Sequence, residues 1–355
     1  MTLSKLEELI AQLNPQTREK FIRIFEISQV EGRLKIPKPM QNWVEEKFES
    51  MANVENQQII KITNKITHRG ILFNPLRSQR PNQAENHDAT LSELIQTTKN
   101  GPFCHPEEMT PEDVFGRVRG AYCTTASNIA KADCWHGVII FNKHDPLDWG
   151  ENEIIDFLST AKRWFELVHQ SDKTARYPFI FWNCLWKASA SIVHGHMQMT
   201  VSESAYAKTK LLSEQVEQYQ RQYRSNYFND LYEIHNALGL TLHTDSSDIK
   251  IMVSLCPKKE RGLVILNNKF DRPLWEHFAK TMVAYRDKLR IKTFNVGITL
   301  PPLGNLQTNW NLPVMIEIID RGDLSSNNPE IGGMEKFAQE VISRDPFRTR
   351  NLLTS

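Results

Sequence analysis

Ile192-Val-His194-Gly195-His196-Met197-Gln198-Met199-Thr200-Val201 is the stretch from which the rest of the chain is best read. Its β-branched and apolar residues predict a strand. Side chains alternate faces along a strand, so His194, His196 and Gln198 are expected on one face, with Gly195, Met197 and Met199 on the other. Two imidazoles and a carboxamide, spaced roughly 6–7 Å apart by the strand rise, form a polar row that is costly to bury without partners. Gly195 leaves room for a backbone or a phosphate to come close. Two chemistries suit the row. Strand-spaced imidazoles hold metals such as zinc. A neutral imidazole whose other nitrogen is tied to a carbonyl is a good nucleophile toward phosphorus near pH 7.

Around this strand the pattern predicts further strands at Trp135–Phe141 and Pro178–Asn183, with a helix over Glu153–His169. A long polar helix is expected over 203–235. The same order then recurs: strands at Ile249–Cys256 and Gly262–Leu266, a helix over Pro273–Arg290, and strands at Asn295–Thr299 and Val314–Ile319. A strand–helix–strand–strand order met twice implies a duplicated α+β unit. Apolar spacing from Leu6 to Phe25 and a second stretch over 40–52 predict helices at the N-terminus. The expected division is therefore an N-terminal helical extension (1–69), a catalytic half (70–235), a second, degenerate half (236–345) and a loose polar tail (346–355).

Composition narrows the classes. With 355 residues, 40% hydrophobic, 24% charged and a formal net charge of +1, the chain carries no overall field for nucleic acid or membrane; any anion site must be local. Five scattered cysteines without a C-x-x-C, and no signal-like or spanning apolar run, point to a cytoplasmic protein.

The spacing Asn183, Ser191, then His194-Gly-His196-Met-Gln198 resembles the histidine-triad superfamily. Within it, the branch of galactose-1-phosphate uridylyltransferase and the dinucleoside tetraphosphate and sugar-nucleotide phosphorylases fits best. The resemblance implies a histidine-triad-type fold with antiparallel sheets flanked by helices, and covalent nucleotidyl transfer. Carried over by position, His196 is the nucleophile, with Gln198 and Ser191 as phosphoryl contacts and Asn183 as a substrate contact. Hydrolases of the group favour a further histidine where Gln198 stands, so this residue argues for transfer. Asn74-Pro75-Leu76 with Arg77 and Arg80-Pro81 is similar to the opening of the uridylyltransferases, where arginines reach substrate phosphates. Asn128 falls where the branch holds the nucleoside.

A structural zinc is the one cofactor the resemblance brings in. Its cysteine pair is reduced here to Gly101-Pro102-Phe103-Cys104, so Cys104, His144 and His194 supply three ligands and His105 stands as a fourth candidate. Ser189 replaces the usual glycine between Asn183 and Ser191. Asn309-Trp310-Asn311, where a duplicate motif would lie, has no imidazole, which implies one active site per chain. The implied partners are a nucleotide or nucleotide sugar and a second copy in a homodimer. Gly262, Gly332 and Gly333 make no phosphate loop. His235, His243, His277 and the run Lys258-Lys259-Glu260-Arg261 read as solvated surface.

Overall fold

The computed structural model describes residues 1–48, 50–79, 89–304, 310–324, 326 and 331–355. Three antiparallel strands, β1 (Phe25–Arg33), β2 (Asn56–Asn64) and β3 (Arg69–Phe73), open the chain's sheets. A long sheet follows, from β4 (Cys123–Ser127), β5 (Trp135–Phe141), β6 (Tyr177–Cys184), β7 (His196–Ser202), β8 (Thr241–Leu242), β9 (Lys250–Val253), β10 (Leu263–Asn267), β11 (Phe294–Thr299) and β12 (Val314–Asp320). Last, β13 (Glu340–Ile342) runs parallel to β3 and completes the small sheet. The long sheet has the order β4-β5-β7-β6-β11-β12-β10-β9-β8. Read from the β6–β11 seam outward, both sides show the same succession: β6, β7, β5, β4 on one side and β11, β12, β10, β9 on the other. The fold is thus a duplicated α+β unit, with antiparallel ladders throughout the long sheet.

Each unit carries its helix between its second and third strands: α1 (Glu151–Ser171) and later α4 (Arg272–Asp287), with α2 (Ala207–Tyr223) and α3 (Tyr227–Ala237) between the units. Ile154, Phe157, Leu158, Ala161, Trp164, Phe165 and Val168 recur at helical spacing and give α1 one buried stripe. That stripe and the matching one of α4 lie side by side against one face of the sheet, over Met197, Met199, Ile180, Trp182, Val296, Ile316 and Ile265. The main core sits there. Burying aromatic side chains of this size contributes about 2–3 kcal/mol each.

Four expectations need correction. Residues 1–69 are not only helical: their central part forms β1 and β2, because Gln29, Ile27 and Phe25 pair with Ile60, Ile62 and Asn64 and bury one face. The stretch 203–235 breaks at Arg224, whose left-handed φ of 52° ends α2 before Asn226 caps α3. The tail forms a helix, α5 (Pro346–Thr354), anchored by buried Phe347 and Leu353 and capped by Asp345. His235 is not solvated surface, nor is the basic run beyond the exposed Lys258. His235 is buried, with Nδ1 on the Leu231 carbonyl and Nε2 accepting the Leu255 N–H, and burial lowers its pKa to about 4. Lys259 is buried, and Glu260 accepts from Ser343 and Arg344.

Candidate active site

The face of the long sheet turned away from α1 and α4 carries the polar residues. In β7 these are His196, Gln198 and Thr200; the register sets Gln198 opposite Val138 of β5 and Phe181 of β6. His194 is not among them. It lies in the bend before β7, which starts at His196, because Gly195 turns the chain against Phe141. A Cβ on Gly195 would come within 2.4 Å of the Phe141 ring, and the Gly195 carbonyl accepts the Phe141 N–H. The room at Gly195 is therefore filled by an aromatic ring and not left for a phosphate.

His196 is buried and its tautomer is set. Nδ1 lies 2.7 Å from the His194 carbonyl, to which it donates, so the lone pair is on Nε2. Burial lowers its pKa from the ordinary value, with the His194 carbonyl opposing. The imidazole is neutral near pH 7. Phe103 meets the ring edge-on at 5.3 Å and packs with Ala126, Val138 and Ile140.

His136, on β5, joins the site without having been singled out in the sequence. Its Nδ1 accepts the Ala132 N–H, which puts the proton on Nε2, and Nε2 donates to Gln198 Oε1 at 2.9 Å. With its oxygen held, Gln198 keeps an NH2 that has no acceptor among the described residues. Asn128 lies 3.4 Å from the same Gln198 oxygen and 3.3 Å from His136 Nε2, while its own oxygen takes the Ala130 N–H in a turn. The signal for His136 is its place two residues before Val138 on one strand face. That signal is readable only once β5 is known to pair with β7.

Asn183 stands one strand further, on β6. Its oxygen accepts from Asn295 of β11 at 2.7 Å, and Asn295 in turn donates to the Ala188 carbonyl and accepts from Arg321. The second half thereby orients a residue of the first. Ser189 adopts a left-handed φ of 70°, which accounts for a glycine being favoured in that slot. Ser191 is exposed in the bend and makes no bond to His196 or Gln198. Arg77 is exposed on the turn Pro75–Gln79, beside the helix Gln41–Phe48, and makes no ion pair with the cluster. Arg80 and Asn309 lie outside the described residues.

Behind His196 three metal-ligating atoms converge. Cys104 Sγ is 3.2 Å from His144 Nδ1 and 3.6 Å from His194 Nδ1, and the two Nδ1 atoms are 3.2 Å apart. The far nitrogens face carbonyls: His194 Nε2 that of Phe141 and His144 Nε2 that of Ile95, both at 2.8 Å. Both rings therefore carry their protons on Nε2, and two lone pairs and a sulfur face one another. Such an arrangement could hold a metal ion. His105 is exposed and outside this cluster.

No protein-family model matches the sequence, and no curated protein does. Solved structures do match in fold. A GALT-like protein from Arabidopsis thaliana aligns with a TM-score of 0.61 and 16% identity, over 82% of this chain and 97% of that one. An ADP-glucose phosphorylase from Arabidopsis thaliana, solved with bound ADP-glucose, gives 0.60 and 16%, over 81% and 95%. A uridylyltransferase gives 0.57 and 13%, over 82% and 96%. In fold, the chain is thus similar to a uridylyltransferase, a GALT-like protein and an ADP-glucose phosphorylase.

Proposed function

We propose that the chain is a nucleotidyltransferase or nucleotide phosphorylase working through a covalent nucleotidyl-His196. The donor is a nucleotide sugar or a dinucleoside polyphosphate, and the acceptor is phosphate or a sugar phosphate. The single observation that supports this best is the His196 hydrogen bond to the His194 carbonyl, which leaves Nε2 as a neutral nucleophile beside the free NH2 of Gln198. In the first step Nε2 forms a bond to the α-phosphorus, and the bond from phosphorus to the leaving phosphate oxygen breaks. The Nδ1–H stays on the ring, where the His194 carbonyl stabilises the positive charge that develops. Gln198 donates to the phosphoryl oxygen as negative charge builds. In the second step an acceptor oxygen attacks the same phosphorus, and the P–N bond returns its electron pair to Nε2.

In this reading Asn128 holds the nucleoside, while Asn183 and Ser191 contact the phosphates. Arg77 and Arg80 approach the phosphates from their loop. Residues 70–235 form the catalytic half and 236–345 the degenerate one. The metal at Cys104, His144 and His194 is zinc. Ligands in a tetrahedral site sit roughly 3.3 Å apart for two nitrogens and roughly 3.6 Å for nitrogen and sulfur, given the usual zinc bond lengths. The measured separations of 3.2 and 3.2–3.6 Å fit. Its role is structural: it holds the His194 carbonyl against His196 and Phe103 against the ring.

Incubation with a panel of α-³²P-labelled nucleotides and nucleotide sugars tests the reaction. The expected result is an acid-labile, base-stable label on the wild type and none on His196→Gly. A His196→Gly protein that turned over at the wild-type rate would refute the mechanism.

A further inference from the structure

The helix α5 closes a cavity of about 230 Å³ with residues from four distant segments: Ser4, Ser78, Arg261, and the run Ser343 to Arg348. Three guanidinium groups line it, those of Arg261, Arg344 and Arg348. Arg261 gives one nitrogen to Asp320 at 2.9 Å. The Arg344 and Arg348 side chains are exposed and make no hydrogen bond or ion pair among the described residues. Arg344 lies close enough to Asp320 to help Arg261 offset the effect of burial, which raises that carboxyl.

One carboxylate lines the cavity, and it makes no ion pair with the guanidinium groups. Asp345 takes Thr2 Oγ1 at 2.6 Å and the Leu3 N–H at 2.8 Å on one oxygen, and the Phe347 N–H at 2.9 Å on the other. Glu260, next to Ser343, accepts the Ser343 N–H, the Ser343 hydroxyl and the Arg344 N–H. Three guanidinium groups thus border one space, and two of them, Arg344 and Arg348, have no carboxylate within ion-pair distance among the described residues; a bound anion would give them one. Guanidinium forks match phosphate oxygens two at a time. The only lining aromatic, Phe73, is buried in the core and offers no face for a base.

We propose that this cavity is a second anion site, separate from His196, that takes a compact phosphate-bearing ligand with at least two negative charges. Pyrophosphate is the probe, titrated calorimetrically into the full chain at low ionic strength. Binding is expected in the wild type and in His196→Gly, at least tenfold weaker in the Arg344→Ala/Arg348→Ala double variant, and falling with added salt. Neither side chain makes a bond among the described residues, and only Arg344 acts on Asp320, so the double variant should melt close to the wild-type temperature. If it does not, the Arg344→Lys/Arg348→Lys pair decides, because retained charge should retain binding. The proposal is overturned if the wild type does not bind, if the alanine pair binds as tightly as the wild type, or if His196→Gly abolishes all binding.

Discussion

The two halves of the long sheet share strand order and diverge on the same face. In the first half that face presents His196, Gln198 and His136, with Gln198 held by His136 and His196 by the His194 carbonyl. In the second half the corresponding strands present Met315, Leu266 and Met252, packed under Leu212, Val216 and Phe228 of α2 and α3. The one charged residue on that face of β12, Glu317, is neutralised by Arg69 at 2.9 Å and Lys258 at 2.5 Å. One backbone plan thus supports a polar face held by hydrogen bonds and an apolar one packed under helices. What differs is where α2 and α3 fold back. Duplication supplies the frame, and the covering helices mark the copy whose face is apolar.

That comparison is open to attack from several sides. The largest effect is expected at His196: replacement by glycine should lower transfer by about 10⁴-fold or more, as loss of a covalent nucleophile does. A kinetic assay alongside the labelling experiment measures it. Next comes the metal cluster, which has no counterpart among the described residues of the second half. Zinc at 100 times its Kd should raise stability by about 2.7 kcal/mol. Thermal denaturation with and without zinc reads this directly, and Cys104→Ala should remove the gain.

On the covered face, Glu317→Gln should cost about 2 kcal/mol by leaving two cations without their carboxylate. Burial raises the Glu317 pKa, but Lys258 and Arg69 outweigh it and hold the group below the ordinary 4.5. The sign follows: its contribution is present above pH 4.5 and is lost as pH falls through the lower, folded value. The wild type and Glu317→Gln should therefore converge in stability under acid, as denaturant titrations at neutral and acidic pH would show. The smallest effect is expected across the seam. Asn295→Ala removes the donor that orients Asn183, which should cost about 1 kcal/mol, roughly fivefold in kcat/KM. A loss of stability with kcat/KM unchanged would confine Asn295 to a structural role.

Much of the fold was readable because its signals are local. The apolar stripe of α1 and the continuous run Trp135–Phe141 mark their elements without help from the rest of the chain. His196 and Gln198 share a face because two-residue alternation is local too. His194 was misplaced by the same rule, since its role depends on Gly195 packing against Phe141, a contact between separate segments. His136 and Asn295 were missed because strand pairing, not spacing along the chain, brings them to Gln198 and Asn183. The tail looked loose because its polar residues hid Phe347 and Leu353, whose partners lie in other elements.

The seam between β6 and β11 also has a bearing on biosynthesis. Asn183 and the Asn295 that aligns it are 112 positions apart. A ribosome that has made every residue of the first half has still not made the strand that finishes the seam. Until then β6 has one free edge, and Asn183 lacks the donor that sets its carboxamide. The assembled site is thus a product of late translation, and a nascent chain carrying His196 waits for its second half before that contact can form.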